Sequence, residues 1–387
     1  MTEQGYGRNK LIALVSNSAW AVYNFRLDII RYLYSQGYRI LVVAPDDDYS
    51  PLLAAEGCTY VPVDFNNRSE NPLRDLKLYY RLQAIYRRYR PDFIFHYVIK
   101  PNIYGTLAAA ACSIQSVAVV TGLGYSFARK NWLYRTVRML YKRALRRASE
   151  VWFLNNDDAT RFANEGIVRV EKMKVLPGEG LNTEHFQPVE KLSAPNKRPF
   201  RFIMSTRLLR SKGISTYAAA AGILKKKQYS VELELIGFFE AQHPDSVHKD
   251  ELKRWEQEGL LRYRGFVADV RPHLAQADCL VFPSYYPEGV PRCLLEAASM
   301  ELPVITSLNP GCREVVLDNG NGFLCRVNDP FDLADKMEKM INLPEEQRFR
   351  MGKIGRSLVI RKFSISFVIE EYRRTLAENL HQSEPSA

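Results

Sequence analysis

Short runs of apolar residues alternate with segments of helical periodicity along almost the whole of this 387-residue sequence. Parallel strands must be joined by a crossover, usually a helix, so this alternation predicts a parallel sheet with helices on both faces. A first series of alternating segments ends near residue 176, and a second begins at Phe200. The sequence therefore predicts two α/β domains, each with a doubly wound parallel sheet.

The apolar pattern also places the individual elements. Residues 178–199 are rich in Pro, Gly, Asn and charge, which predicts a connection between domains spanning residues 1–188 and 189–365. The predicted strands are residues 10–15, 39–44, 60–63, 93–97, 116–121, 151–154, 175–176, 202–205, 232–236, 261–264, 279–282, 303–306 and 322–325. The main predicted helices are residues 26–36, 73–88, 102–112, 133–147, 333–341, 345–358 and 366–380, with a loop over residues 17–23.

Positive charge is concentrated in the first half of the chain. Residues 1–180 contain 25 Lys and Arg against 16 Asp and Glu, whereas the remainder contains 29 against 27. Such a charge distribution attracts an anionic partner, and the candidates are a membrane surface, a diphosphate and a nucleic acid.

The predicted helix over residues 133–147 is both basic and amphipathic. Its apolar stripe consists of Leu133, Val137, Leu140, Tyr141 and Leu145. The cations around this stripe include Arg135, Arg138, Lys142, Arg143, Arg146 and Arg147. This composition fits the inner face of an anionic membrane. The alternative is a domain helix whose apolar side is core and whose basic side is solvated.

Residues 282–304 contain a loop between a buried strand and a helix. The apolar run 279–282 predicts the strand, and the helical pattern starts at Arg292. Between them, regular structure is interrupted by Pro283, Pro287, Gly289 and Pro291. In an open parallel sheet, the crevice at the carboxyl ends of the strands is where ligands bind.

Two glutamates separated by seven residues flank the start of this helix. Glu288 lies in the loop and Glu296 about one turn into the helix, so both can face the same crevice. A carboxylate there suits a diol, since it accepts hydrogen bonds from two hydroxyls. The backbone N–H groups at the helix start suit a phosphate. The alternative is a surface helix that happens to carry two glutamates.

A second polar segment follows the first strand of the second domain. Within residues 205–213, Arg207 and Lys212 lie where a strand is followed by a helix. Their cationic groups can neutralise a diphosphate there without a metal ion. An ordinary basic loop is the alternative.

These motifs resemble those of retaining glycosyltransferases of family four, which share the glutamate-x7-glutamate signature and the arginine–lysine pair. The resemblance covers nearly the whole chain. It implies the GT-B fold, in which two Rossmann-like domains face each other across a cleft. It further implies that residues 1–188 bind the acceptor and residues 189–365 the nucleotide sugar, while the closing helix 366–380 packs back onto the first domain.

The resemblance also assigns roles to second-domain residues. Glu296 is similar to the glutamate that binds both ribose hydroxyls, and Glu288 to the one that faces the donor sugar. Arg207 and Lys212 resemble the pair that stabilises the departing diphosphate, so we expect Arg207, Lys212 and Glu288 to be catalytic. The other expected donor contacts are Gly289, Val290, Pro291 and, at the base, Val267. For Val267 a plain strand end is the alternative.

Residues after the strands of the first domain are the candidates for acceptor contacts, since they belong at the edge of its crevice. They are Asn17, Ser18, Tyr23, Asn24, His96, Lys100 and Tyr125. Many family members carry a histidine where this chain has residues 119–122, and His96 is our candidate to fill part of its role. The alternative for His96 is a buried, hydrogen-bonded core histidine.

The first-domain segments look like those of bacterial enzymes that extend polyprenyl-diphosphate-linked oligosaccharides, including N-acetylgalactosaminyl- and galactosyltransferases. The resemblance implies retaining, metal-independent transfer of a hexose or N-acetylhexosamine from a UDP-sugar, with no additional cofactor. The expected partners are the UDP-sugar, the lipid-linked saccharide and an anionic membrane surface. We expect a cytoplasmic protein that is peripheral on the inner membrane face and does not bind nucleic acid.

Three other functions are compatible with parts of the sequence. A transferase acting on a small soluble acceptor, or a UDP-sugar epimerase, would share the fold. A nucleic-acid-binding protein would account for the basic charge but lacks a recognised module for that role. An inactive sugar-nucleotide sensor would keep the binding residues without turnover.

Overall fold

The computed structural model describes residues 9–65, 71–123, 132–189, 198–240, 243–286 and 288–380. These residues form two compact units, the first comprising the chain up to Gly180 together with the chain from Ile365, the second Leu181–Ser364. Residues 181–188, which the sequence assigned to the end of the first domain, belong to the second unit. The Phe186 side chain lies in the second core, and the Ser299 hydroxyl donates to the Phe186 carbonyl at 2.7 Å.

All strand neighbours in the two sheets are parallel, which confirms the predicted fold class. In order along the chain, the strands are Leu11–Val15 (β1), Arg39–Ala44 (β2), Thr59–Pro62 (β3), Phe93–Tyr97 (β4), Ser116–Val120 (β5), Glu150–Phe153 (β6), Met173–Val175 (β7), Phe200–Ser205 (β8), Val231–Ile236 (β9), Arg262–Tyr263 (β10), Cys279–Phe282 (β11), Val304–Ser307 (β12) and Gly322–Cys325 (β13). Each predicted strand has a counterpart within a few residues.

The α-helices cover the faces of these sheets. They are Ala19–Ser35 (α1), Ser50–Ala55 (α2), Pro72–Tyr89 (α3), Thr106–Ala111 (α4), Trp132–Leu145 (α5), Asn156–Asn164 (α6), Ile214–Lys226 (α7), Lys249–Gln257 (α8), Arg271–Gln276 (α9), Arg292–Ser299 (α10), Pro330–Asn342 (α11), Glu345–Phe363 (α12) and Ile365–Leu380 (α13). Across the described ranges, none of the helices combines the length and the apolar character needed to span a bilayer.

The sheet of the first unit has the order β3-β2-β1-β4-β5-β6-β7, so its strand order reverses between β1 and β4. Alternate side chains of β1 lie on opposite faces of the sheet and pack into two different hydrophobic cores. Ile12 and Leu14 pack with α1 and α13, whereas Ala13 and Val15 pack with α3 and α4. Both faces are therefore covered, as the continuous apolar strands require.

The first helix begins earlier than the sequence indicated. The predicted loop over residues 17–23 and helix start at Arg26 are wrong, because α1 already begins at Ala19. The Ser18 hydroxyl accepts from the Ala21 N–H at 3.2 Å and caps the helix, which satisfies one of its unpaired N-terminal donors. Tyr23 and Asn24 are consequently helical residues.

The closing helix α13 belongs to the first unit and completes an aromatic cluster there. The Tyr372 ring lies 4.4 Å from that of Phe95 and 5.0 Å from that of Trp152, measured between centroids. The Tyr372 hydroxyl is 2.6 Å from that of Tyr97. All four side chains are almost fully buried, so the first unit depends on a segment more than 180 residues away in sequence.

The second unit repeats the doubly wound arrangement with the order β10-β9-β8-β11-β12-β13. Its strand order reverses between β8 and β11, which are hydrogen-bonded neighbours through Phe202–Cys279 and Ile203–Leu280. A single core that includes strand and helix residues occupies this unit. The β8/β11 position is the topological switch point, where a ligand crevice is expected.

We predict that Tyr372→Ala destabilises the first unit by about 3–5 kcal/mol, the usual cost of removing a buried aromatic ring. Chemical denaturation followed by tryptophan fluorescence measures this loss, since Trp152 contacts the deleted ring. Phe367→Ala is the matched control, because Phe367 is on the same helix but exposed. Equal effects of the two substitutions would contradict the packing role of Tyr372.

Candidate functional site

The predicted donor residues of the second unit follow the two strands at its switch point. Lys212 belongs to a short 3₁₀ turn after β8, and Glu288 belongs to the loop 283–291 after β11. Because β8 and β11 are adjacent and parallel, their carboxyl ends bring both segments to one edge of the sheet.

Lys212 and Glu288 form an ion pair at this edge. The Lys212 ammonium is 2.5 Å from Glu288 Oε1, and only 7% of Lys212 is exposed. The Ser284 hydroxyl donates to the same carboxylate oxygen at 2.7 Å. The rings of Phe282 and Tyr286 lie 5.9 and 5.4 Å from the ammonium, close enough for cation–π attraction. A cation is thus held at a fixed position beside a carboxylate.

Polar side chains at the end of β12 and just after it donate hydrogen bonds to the backbone of the same loop. Thr306 donates to the Phe282 carbonyl at 2.6 Å, and Ser307 donates to the Ser284 carbonyl. The Asn309 side-chain amide lies 3.3 Å from the Ser284 carbonyl and also donates to that of Tyr286. These three residues are missing from the sequence-based set. They are polar residues at and just after the end of a predicted buried strand, a pattern that could have identified them.

Two glycines allow the backbone to approach this loop closely. Gly213 has φ +83° and Gly311 has φ +78°. A Cβ on Gly213 would lie 2.1 Å from the Pro283 carbonyl oxygen, and one on Gly311 would lie 1.4 Å from that of Gly289. Both the positive φ and the missing side chain are therefore required, and together the glycines fix the path of the loop.

Glu296 lies on α10, where 15% of its side chain is exposed. Burial raises the pKa of Glu296, and the neighbouring Arg292, whose Nε is 3.0 Å from Glu296 Oε1, opposes this shift. Burial likewise raises the pKa of the Cys293 thiol, and the charge of the Glu296 carboxylate adds to this shift.

The other predicted donor residues differ in exposure. The Arg207 side chain is 44% exposed, and its Nη1 lies 3.4 Å from Glu240 Oε2. Val290 and Pro291 are buried, and Gly289 is partly exposed next to Gly311. Val267 is partly buried against the second core. The structure brings Lys212 and Glu288 into direct contact, whereas Arg207 is held by a different partner.

Four of the acceptor candidates in the first unit follow β1. Asn17 and Ser18 are partly exposed between β1 and α1, where Ser18 also caps the helix. On α1, the Tyr23 ring packs 5.4 Å from that of Tyr49, and the Asn24 side-chain amide donates to the Trp20 carbonyl at 2.9 Å. Of these four residues, Asn17 and Ser18 directly follow the end of β1 at the β1/β4 switch point.

His96 is a fully buried residue of β4. Its Nε2 is 3.0 Å from the Tyr86 hydroxyl, and its Nδ1 is 3.3 Å from that of Thr106. Burial lowers the pKa of His96 to about 3, so the ring is neutral at physiological pH. With 0% exposure, His96 fits the hydrogen-bonded core alternative and offers no surface to an acceptor.

The remaining first-domain candidates are Lys100 and Tyr125. The Lys100 ammonium is 2.7 Å from Asp75 Oδ1, and the other oxygen of Asp75 accepts from the Tyr104 hydroxyl at 2.7 Å. Lys100 therefore connects the segment after β4 to α3. Tyr125 lies outside the described residues.

Two domain families match the chain, one in each half. Residues 11–155 match the family described as Glycosyl transferase 4-like, and residues 188–358 match Glycosyl transferases group 1. The second match contains Arg207, Lys212, Glu288 and Glu296.

Among characterised relatives, the chain is similar to a Campylobacter jejuni N,N'-diacetylbacillosaminyl-diphospho-undecaprenol alpha-1,3-N-acetylgalactosaminyltransferase. The two are 27% identical over 356 residues, which cover 88% of this chain and 91% of that protein. An Escherichia coli UDP-Gal:alpha-D-GlcNAc-diphosphoundecaprenol alpha-1,3-galactosyltransferase is 26% identical over 77% of this chain and 78% of its own length.

The fold is also similar to that of solved proteins. Anabaena HepE, crystallised with UDP-glucose, superposes with a TM-score of 0.79 at 20% identity, covering 95% of this chain and 99% of that one. At this level of identity the likeness establishes the fold.

We predict that affinity for UDP falls as pH decreases through the raised pKa of Glu296. The family resemblance implies that Glu296 accepts hydrogen bonds from two ribose hydroxyls, for which the ionised carboxylate is the better acceptor. Burial moves its protonation to a higher pH than usual for glutamate. Titration calorimetry with UDP between pH 5 and pH 8 measures the effect.

Glu296→Gln provides the control for this titration, because the terminal phosphate of UDP itself titrates near pH 6, as phosphomonoesters do at about that value. The pH dependence that remains in Glu296→Gln belongs to the ligand. Identical pH profiles for the two proteins would contradict a role for the Glu296 carboxylate.

Proposed function

This chain is a glycosyltransferase of the GT-B fold, with a glycosyl transferase 4-like domain followed by a group 1 domain, and on this premise we propose that it transfers a hexose or N-acetylhexosamine from a UDP-sugar to a polyprenyl-diphosphate-linked saccharide. The first choice of donor sugar is N-acetylgalactosamine or galactose, the sugars in the names of the Campylobacter and Escherichia relatives. The product then belongs to the assembly of a surface polysaccharide or glycan.

The observation that carries this proposal is the buried Lys212–Glu288 pair at the switch point of the second sheet. Cleavage of a sugar–diphosphate bond builds negative charge on the phosphate, and a fixed ammonium near that charge lowers the barrier. A carboxylate beside the ammonium accepts hydrogen bonds from sugar hydroxyls. The same edge thus contains groups for both parts of the donor.

In the proposed reaction, the bond between the anomeric carbon and the β-phosphate oxygen breaks, and its electron pair leaves with UDP. The acceptor hydroxyl oxygen attacks the same face of the sugar, and its proton passes to the departing phosphate. Lys212 and Arg207 neutralise that phosphate, while Glu288 orients the sugar. This front-face course retains the anomeric configuration and needs no covalent enzyme intermediate.

The proposal assigns the acceptor to the first unit and metal-independent chemistry to the second. Stabilisation of the leaving group is assigned to the cations of Lys212 and Arg207. A polyprenyl carrier requires access to a membrane, so we place the protein at the inner membrane face, with the cationic helix α5 towards anionic lipid.

A direct test supplies the purified protein with UDP-N-acetylgalactosamine, UDP-galactose and a short-chain polyprenyl-diphosphate saccharide in detergent. The proposal expects a lengthened lipid-linked product, unchanged turnover in EDTA, and an α-linkage by NMR from the α-configured donor. Transfer to a free sugar but not to the lipid-linked saccharide would favour a soluble transferase. Conversion of the UDP-sugar into another UDP-sugar without any transfer would favour an epimerase. Binding of UDP without any turnover would favour a sensor.

We predict that Arg207→Ala and Lys212→Ala each lower kcat by about 10²- to 10³-fold, the scale for loss of one transition-state charge partner. Initial rates at saturating donor separate this loss from weaker binding. Lys226→Ala is the control, because Lys226 is an exposed cation at the far end of α7. A near-wild-type kcat in either site variant would remove that residue from the mechanism.

A further inference from the structure

A groove of about 760 Å³ lies between α3, α4 and α5 in the first unit. Leu107, Ala110 and Ala111 of α4 contribute apolar surface to it. Four cations of α5 and the turn after it also line the groove, namely Lys142, Arg143, Arg146 and Arg147. None of the described residues that line the groove is acidic. The groove therefore combines an apolar lining with cations along one side.

The helix beside this groove exposes a stripe of large apolar side chains. On α3, Leu73, Leu76 and Tyr80 are 76%, 51% and 58% exposed. Their spacing of three and four residues places them on one face, next to Tyr79, which lines the groove. Across the groove on α5, Met139 is 64% exposed. These four side chains, named the α3–α5 ridge, form an apolar surface beside the groove.

An exposed apolar ridge is unfavourable in water and marks an interaction surface. The cations next to it indicate the chemistry of its partner. Besides those that line the groove, α3 carries exposed Arg74, Lys77 and Arg81. Apolar side chains flanked by cations match the boundary between acyl chains and phosphate groups in a bilayer.

We propose that the α3–α5 ridge and the groove dock on an anionic phospholipid bilayer. The four ridge side chains insert among the acyl chains, and Lys142, Arg143, Arg146 and Arg147 contact lipid phosphates. This inference rests on the membrane association proposed above for α5 and extends it. It adds α3 as the inserting helix and assigns the apolar groove to a lipid chain.

The groove cations, which we assign to lipid phosphates, lie away from the edge where the acceptor is expected, whereas Leu73 and Leu76 lie nearer that edge, beside the Asp75–Lys100 ion pair. In the first sheet, α5 follows β5 and precedes β6, so it runs back from the carboxyl edge to the amino edge of these parallel strands. A helix of 14 residues is about 21 Å long. The cations at its end are therefore separated by that distance from the edge where acceptor sugars are expected.

The test measures sedimentation of the full chain with sucrose-loaded vesicles of phosphatidylcholine alone or with 30% phosphatidylglycerol, without any sugar nucleotide. We expect binding to the anionic vesicles that Leu73→Ser/Leu76→Ser/Tyr80→Ser weakens about tenfold or more, given the apolar area removed. Arg143→Gln/Arg146→Gln/Arg147→Gln should weaken it by at least about fivefold per charge and reduce its salt dependence.

Phe349→Ser is the matched control, since Phe349 is an equally exposed aromatic residue in the second unit. If the triple ridge variant unfolds, Leu73→Ser alone replaces it, because Leu73 is the most exposed of the three. Unchanged vesicle binding in the folded ridge variant would overturn the proposal. A dimer in sedimentation velocity that the ridge substitutions dissociate, without vesicle binding, would assign the ridge to a second copy instead.

Turnover in detergent distinguishes this proposal from the proposed function. Ridge variants should keep wild-type rates on a short-chain acceptor in detergent while losing vesicle binding. If the wild-type protein bound the anionic vesicles but showed no transferase activity in detergent, the transferase proposal would be rejected. The assignment of the ridge to membrane binding would then still hold.

Discussion

The buried ion pair between Lys212 and Glu288 is the interaction on which the candidate site depends. Burying two charges costs desolvation energy that their mutual attraction often only offsets, so such a pair is a poor device for stability alone. The surrounding structure nevertheless holds it in place. Ser284 donates to the same carboxylate, and Thr306 and Ser307 at the end of β12 donate to backbone carbonyls of the loop. We interpret the pair as preorganised for a charged ligand at the sheet edge.

The fold explains how Lys212 and Glu288, which are 76 positions apart in sequence, form a direct contact between the ammonium and the carboxylate. The crossover that follows β8 leads to β9 on one side, and the chain later returns to place β11 on the other side of β8. Both loops at the switch point then leave the same edge of the sheet. The first sheet has the same reversal between β1 and β4, where Asn17 and Ser18 lie. Each unit therefore presents its candidate residues by the same topological rule.

Much of this could be predicted from the sequence, because buried parallel strands appear as continuous apolar runs, and each predicted strand was found. The loop 283–291, which contains Glu288, was located for the same reason, since it follows one of these runs. The start of α1 could not be placed, since the Ser18 cap depends on backbone geometry that polar composition alone describes as a loop. Gly311 was missed because its role depends on close contact with the Gly289 backbone, which is distant in sequence and follows a different strand. For His96 the difference has the opposite sense. Its position near the end of a strand suggested an acceptor contact, but its side chain is buried in the core.

We propose that the second unit holds a uridine nucleotide at the sheet edge where Lys212, Glu288 and Glu296 lie. The most direct measurement is the melting temperature of the protein with saturating UDP, GDP or ADP. A ligand that binds only the folded state at 100 times its Kd adds about 2.7 kcal/mol to the free energy of unfolding. We predict a clear increase with UDP that exceeds those with GDP and ADP. No increase with any of the three at millimolar concentration, or the largest increase with GDP or ADP, would contradict the account.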